Sequence, residues 1–154
     1  MYRDSGCCEK YTKPRANMIK VYTDGGSRGN PGPSAIGVYI TDRDNNKVFS
    51  FGKTIGYATN NVAEYKAVIA ALSWLIENKE AWSNKEIYFF LDSKLVCSQV
   101  TGVFQIKDSK LRELFFEIRN KEAQINAKII YQFIVREKNK EADRMVNLAL
   151  DGKI

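Results

Sequence analysis

The chain of 154 residues contains no histidine. That absence excludes Ser-His-Asp and Cys-His nucleophilic catalysis together with histidine-ligated metals, so any chemistry must rest on carboxylates, amides, hydroxyls and lysines. Cysteine is scarce as well. Cys7 and Cys8 are neighbours and Cys97 is distant, which spells neither a disulfide framework nor a zinc site. No segment approaches the ~20 apolar residues that span a bilayer, and Met1-Tyr2-Arg3-Asp4 does not open a signal peptide. The expected setting is cytoplasmic, without a membrane partner. Coiled-coil heptads, internal repeats and low-complexity stretches are missing too, so a monomer is the default.

What is present is the composition of one soluble globular domain, 44% hydrophobic and 27% charged. Lysine and arginine outnumber aspartate and glutamate by 24 to 18, a formal charge of +6. A basic balance favours polyanionic partners, because each neutralised phosphate releases condensed counterions. Residues 1–17 carry Tyr2, Arg3, Lys10, Tyr11, Lys13 and Arg15 without an apolar period. They read as a flexible tail ahead of a domain at 18–154. A short nucleic-acid-binding arm is the sharper alternative.

From Ile19 to Thr23 apolar and polar residues alternate as in a strand ending at Asp24. The glycine- and proline-rich stretch Gly25 to Pro33 reads as a loop. Ile36 to Thr41 and Lys47 to Gly56 read as two further strands joined by a turn at Asp42 to Asn46. Val62, Tyr65, Ile69, Leu72 and Ile76 recur at steps of three and four, the stripe of an amphipathic helix. Glu86 to Leu91 is a short apolar run typical of a strand buried on both faces. Ser93 to Thr101 and Lys107 to Ala123 read as helices, and Lys128 to Val135 as a strand. A last helix, capped by Asn139, runs to Leu150. The order β-β-β-α-β-α-α-β-α implies an α/β fold, a mixed five-stranded sheet flanked by helices.

Ligands in such sheets gather beyond the carboxyl ends of the strands. Asp24 ends the first strand and Asp92 the fourth, and they share an edge if those strands are parallel neighbours. Glu64 and Asp143 stand in the first turns of two helices. Each residue singly has an ordinary explanation. Asp24 precedes Gly25-Gly26 and could serve a turn, Glu64 could complete a capping box with Asn61, and Asp92 could cap a helix. Spacing alone does not prove that the four converge.

Four stretches carry more information when taken together: Tyr22 to Pro33 (YTDGGSRGNPGP), Thr59 to Glu64 (TNNVAE), Leu91 to Ser93 (LDS) and Asn139 to Asp143 (NKEAD). In identity, order and placement they resemble the type 1 ribonuclease H family from about Met18 onward. The resemblance implies a ribonuclease H-like fold and hydrolysis of the RNA strand of RNA/DNA hybrids. Asp24, Glu64, Asp92 and Asp143 then fall on the catalytic, metal-holding positions for two Mg²⁺ ions, with Mn²⁺ as a substitute. Asp24 would bridge both ions, Asp143 would help hold the one that activates water, and Glu64 and Asp92 the one at the leaving 3′ oxygen. The products would be 5′ phosphate and 3′ hydroxyl ends. Oxygen-only ligands suit such ions, and a carboxylate cluster without metal would repel itself.

The same resemblance assigns substrate contacts to Gly25, Gly26, Ser27, Asn30, Thr59, Asn60, Asn61, Ser93 and Thr101. The glycine loop and the asparagines would face the RNA strand, and Thr59 and Thr101 a phosphate of the DNA strand. Turn and cap duty is the competing explanation for the asparagines and threonines. Three departures from the family pattern stand out. The loop before the last helix is reduced to Arg136-Glu137-Lys138 and lacks the usual histidine, so proton handling is expected to fall to water at the metals, with Glu137 assisting. Gly102 to Ile106 leaves no room for a basic protrusion. Lys94 stands where a groove-reading glutamine is common. Double-stranded RNA is therefore kept as a second candidate substrate and branched DNA as another, since fold does not dictate substrate. A non-catalytic nucleic-acid-binding module and a domain of a reverse-transcriptase polyprotein are the remaining alternatives.

Overall fold

A computed structural model describes residues 17–154, and the tail expected at residues 1–17 lies, apart from Asn17, outside them. Three strands open the chain: β1 (Met18–Ser27), β2 (Gly32–Asp42) and β3 (Lys47–Ala58). Then come α1 (Asn60–Glu77), β4 (Glu86–Leu91), α2 (Lys94–Val100), α3 (Ser109–Glu122), β5 (Ile129–Phe133) and α4 (Lys140–Leu150). The expected order of elements is the observed one, and nothing helical stands between α2 and α3. Strand order in the single sheet is β3-β2-β1-β4-β5. The β1–β2 and β2–β3 pairs are antiparallel, whereas β1–β4 and β4–β5 are parallel. Thr23 and Leu91 are register partners, so Asp24 and Asp92 leave adjacent parallel strands side by side.

The main core lies under α1 and α3. Ile19, Val21, Val38, Ile40, Ile87, Phe89 and Leu91 from the sheet meet Tyr65, Leu72, Leu75 and Ile118 from the helices. The buried face of α1 takes in Tyr65 and Leu72 of the stripe seen in the sequence, together with Leu75. It also runs along Ala63, Ala67, Val68 and Ala71, while Val62, Ile69 and Ile76 lie partly buried at the flanks. Ala63 stands where α1 lies closest to β1. The first turn of α1 is held by Thr59, whose hydroxyl accepts from the Val62 N–H at 3.2 Å. The buried Tyr65 hydroxyl donates to Gln99 Oε1 at 2.7 Å, tying α1 to α2.

Two glycines set how near the helices approach. Gly25 and Gly26 belong to β1, paired with Ile36 and Ala35, so the expected loop shrinks to the residues between Ser27 and Gly32. A Cβ on Gly25 would lie 2.2 Å from the backbone carbonyl carbon of Ala63 and 2.4 Å from the Glu64 nitrogen. A Cβ on Gly37, the partner of Asp24 across β2, would lie 2.2 Å from the Ala142 carbonyl oxygen. Since cross-strand partners share a face and neighbours along a strand do not, α1 rests on one face of the sheet and α4 on the other. Neither backbone can yield cheaply. Gly25→Ala is expected to destabilise the protein by about 2–4 kcal/mol, as overpacking against main chain does. Urea unfolding, read by circular dichroism, checks this, and a loss below ~0.5 kcal/mol would contradict the close approach.

Candidate active site

Asp24 and Asp92 reach the site as strand ends, and Glu64 and Asp143 as the beginnings of helices. Glu64 is the fifth residue of α1, just beyond the first turn, and Asp143 stands in the first turn of α4. Carboxylate oxygens of Asp24, Glu64 and Asp92 lie within 4.8 Å of one another. Asp143 lines the same hollow as Asp24 and Glu64, and its negative charge bears on the Asp24 carboxyl. The fold thus brings Asp24, Glu64 and Asp92 into one cluster, with Asp143 on the wall of the same hollow. The cap assignments do not hold. Thr59 and Ser93 cap the two helices, each accepting from an N–H three residues on, so neither Glu64 nor Asp92 is spent as a cap.

Burial makes the cluster electrostatically costly. Asp24 is 7% and Glu64 6% exposed. Desolvation first, then the charges of Asp92 and Asp143, push the Asp24 carboxyl up to about 8. Glu64 is raised well above the ordinary range, chiefly by burial and then by the charges of Asp24 and Asp92, against a hydrogen bond from the Gly25 backbone that favours its ionised form. Asp92 is raised by burial, opposed by a hydrogen bond from Asn139 and by the positive charge of Arg136. Glu64 Oε1 and Asp92 Oδ1 are buried without a hydrogen-bond partner. Acceptors left so, in an all-oxygen donor set, fit hard divalent cations of the Mg²⁺ or Mn²⁺ type.

The cluster opens into a hollow of about 460 Å³. Of the expected substrate contacts, Gly25, Gly26, Ser27, Asn60, Asn61 and Ser93 line it. Asn30 does not, but it braces the rim. The Asn60 N–H donates to Asn30 Oδ1 at 3.0 Å and the Ser27 N–H to Asn60 Oδ1 at 2.9 Å. Both carbonyl ends are thereby used, so the amide NH₂ ends of Asn30 and Asn60 are the ends not spent in these two bonds. Thr59 and Thr101 lie outside the lining. The Thr101 hydroxyl already donates to the Cys97 carbonyl at 2.9 Å, so its hydrogen is not available to a phosphate while that bond holds.

Three site residues were not assigned a role from sequence. Arg136 lines the hollow and its charge favours the ionised forms of Asp24 and Asp92. Glu137, expected to assist proton handling, lines a separate hollow with Tyr22, Tyr39 and Lys140 instead. Arg28 lines the acidic hollow too, held by Asp151 at 2.8 Å and by Asn147 Oδ1 at 3.3 Å. Asn139 stands at the cap position just ahead of α4, but its side chain does not cap the helix, its amide donating at 2.9 Å to both the Thr23 carbonyl and Asp92 Oδ2. Only its place in the NKEAD stretch marked it, and that suggested a cap.

A mixed sheet of this strand order, with acidic residues gathered where β1 and β4 end, defines the ribonuclease H-like class. The chain belongs to the RNase H family, whose pattern it matches over residues 16–150, and its relatives place it with type 1. Ribonuclease HI of Halobacterium salinarum is 39% identical over 137 residues, 89% of this chain and 66% of that protein. A bifunctional protein of Mycobacterium tuberculosis is 37% identical over 135 residues, 87% of this chain. The chain spans only about a third, 36%, of that longer relative. Among solved structures, LC11-RNase H1 from compost, in complex with an RNA/DNA hybrid, superposes with a TM-score of 0.83 at 41% identity, covering 87% of this chain and 97% of that one. The RNase H1 of Halobacterium salinarum gives 0.80 at 37% identity, covering 88% and 98%.

The raised carboxyls carry a sign that can be tested in metal-free protein. Asp24 holds its proton more tightly folded than unfolded, where its ordinary value is 3.8. Its stabilising contribution is full below about pH 4, is lost as pH rises towards about 8, and stays lost above. In excess chelator, Asp24→Asn should therefore be more stable than the parent at pH 9, by on the order of 1–3 kcal/mol, with the gap closing near pH 4. Denaturant unfolding at the two pH values measures it. An equal gap at both would mean that charge is not the cause.

Proposed function

We propose that this protein is an endonuclease that hydrolyses the RNA strand of RNA/DNA hybrids by two-metal-ion catalysis, leaving 5′ phosphate and 3′ hydroxyl ends. The observation that carries the reading is the set of buried carboxylates with unpartnered oxygens, opening into a hollow rimmed by amide donors. The likeness to a type 1 enzyme solved with a hybrid supports the substrate. Two divalent cations, Mg²⁺ or Mn²⁺, would supply water activation, charge neutralisation on the phosphate and stabilisation of the departing 3′ oxygen. Asp24, central in the cluster, is the residue suited to both ions. Glu64 and Asp92 would hold one, and Asp143 would help hold the other.

The remaining work belongs to the chain itself. Arg136 keeps Asp24 and Asp92 closer to their ionised, metal-binding forms. Gly25 and Gly26 let main chain come near the substrate backbone, and the fixed NH₂ ends of Asn30 and Asn60 would donate to 2′-hydroxyls or base edges in the wide minor groove. Ser93 and Asn61 line the same hollow. Thr59 keeps its hydroxyl hydrogen while capping α1 and could donate to a DNA-strand phosphate, a role for which Thr101 would first have to release Cys97. A monomer acting in the cytoplasm completes the proposal. No helix among the described residues is long and apolar enough to cross a membrane.

The test is cleavage of a labelled RNA strand paired with DNA, paired with RNA, and alone, in Mg²⁺, Mn²⁺ or EDTA. The hybrid should be cut in either metal and spared in EDTA. Asp92→Asn should lower the rate by at least ~100-fold, more than loss of a partner to a metal ligand typically costs. Hybrid left intact by folded protein in both metals would overturn the reading, and cutting of duplex RNA would widen it.

A further inference from the structure

Asn139 makes bonds towards three of the four carboxylate carriers. Its Nδ2 donates to the carbonyl of Thr23, the residue before Asp24, and to Asp92 Oδ2, both at 2.9 Å. Its own carbonyl accepts from the Asp143 N–H at 3.1 Å. The side chain is 1% exposed, so these bonds form out of reach of solvent. Asn is among the best helix caps, worth about 0.5–2 kcal/mol, yet the side chain here does not cap α4. A residue placed to cap that turns its amide elsewhere breaks a local rule, which natural proteins tolerate mostly at functional sites.

The chemistry selects this residue type. Both amide hydrogens are committed, one to a carbonyl and one to a carboxylate, so the position demands a neutral group with two donors. Aspartate, of the same shape, would set oxygen against both acceptors. Serine is too short to span them. The bond to Asp92 Oδ2 fixes the orientation of that carboxylate, leaving Oδ1 buried and unpartnered in the cluster. The backbone bond on the other side sets where α4 begins and hence where Asp143 stands.

We propose that Asn139 is a positioning residue for the metal site. It locks β1, Asp92 and the start of α4 into one geometry, and its amide holds Asp92 ready to ligate a divalent cation. The inference rests on the carboxylates being a metal site, as proposed above. It does not depend on which nucleic acid is cut.

The decisive measurement is binding of Mn²⁺ and Mg²⁺ to wild type, Asn139→Ala and Asn139→Ser by titration calorimetry, with folding checked by circular dichroism. Serine can still cap α4, so it preserves a folded variant if alanine does not. Both should bind metal ~10–100-fold more weakly, the usual effect of losing a partner that orients a ligand. At fixed, limiting metal, turnover on the hybrid should fall over the same range with KM for the hybrid within ~2-fold, and added metal should restore part of it. A purely structural residue would lower the melting temperature and leave metal affinity alone. Folded variants whose metal affinity stays within ~2-fold of wild type would overturn the inference. Weakened metal binding in the variants alongside a wild type that cuts no hybrid would uphold it and remove only the proposed substrate.

Discussion

The arrangement depends on main chain meeting main chain on both sides of Asp24. At Gly25 the backbone of α1 touches β1 from one face, and at Gly37, directly across from Asp24, the backbone of α4 touches β2 from the other. A side chain at either position would hold its helix off the sheet. Because Glu64 follows Ala63 and Asp143 follows Ala142, the contacts that seat the helices also deliver the carboxylates. The approach of two helices and the convergence of four acids are thus one constraint. The alanine-lined face of α1 and the parallel β1–β4 pair serve it, the first by allowing contact and the second by bringing Asp92 alongside.

That geometry works against stability. Buried acids crowded together oppose folding unless they are protonated or neutralised by cations. The fold offsets the cost with a large apolar core under α1 and α3, and with polar ties such as the Tyr65–Gln99 bond. Arg136 and the Asn139 amide temper the cluster without neutralising it. What is left over is a crowded all-oxygen donor set, which in the proposed reading serves hard cations.

Much of this was legible in the sequence because it is written in local patterns. Alternation marked the strands, the apolar run Glu86 to Leu91 marked a central strand, and strand ends with helix starts marked the carboxylates. What stayed hidden depends on contacts between distant segments. Gly25 and Gly26 look like loop residues, since glycine signals a turn locally, yet both are strand residues, and Gly25 is emptied for a helix. The large residues of α1 made the visible stripe, of which Tyr65 and Leu72 are fully buried, whereas the alanines that share the buried face give no such signal. Asn139 shows the limit most plainly. An asparagine ahead of a helix reads as a cap, and only the fold brings Asp92 and Thr23 within reach of its amide. Glu137 and Arg136 are sequence neighbours of opposite charge, and nothing local tells which of them faces the acids.

The way α4 is oriented has one more effect. Asp143 stands in the first turn of α4, and Glu64 just beyond the first turn of α1. A helix carries a partial positive charge, equivalent to roughly half a proton, at its amino end. The pole of α4 therefore falls on the cluster through Asp143, whereas Glu64 stands just past the reach of the α1 pole. In the proposed reading the α4 pole lightens the negative field that an approaching phosphodiester must cross, and unlike a lysine it places no mobile cation among the carboxylates to compete with metal. The backbone itself thus makes an acidic pocket more approachable by a polyanion.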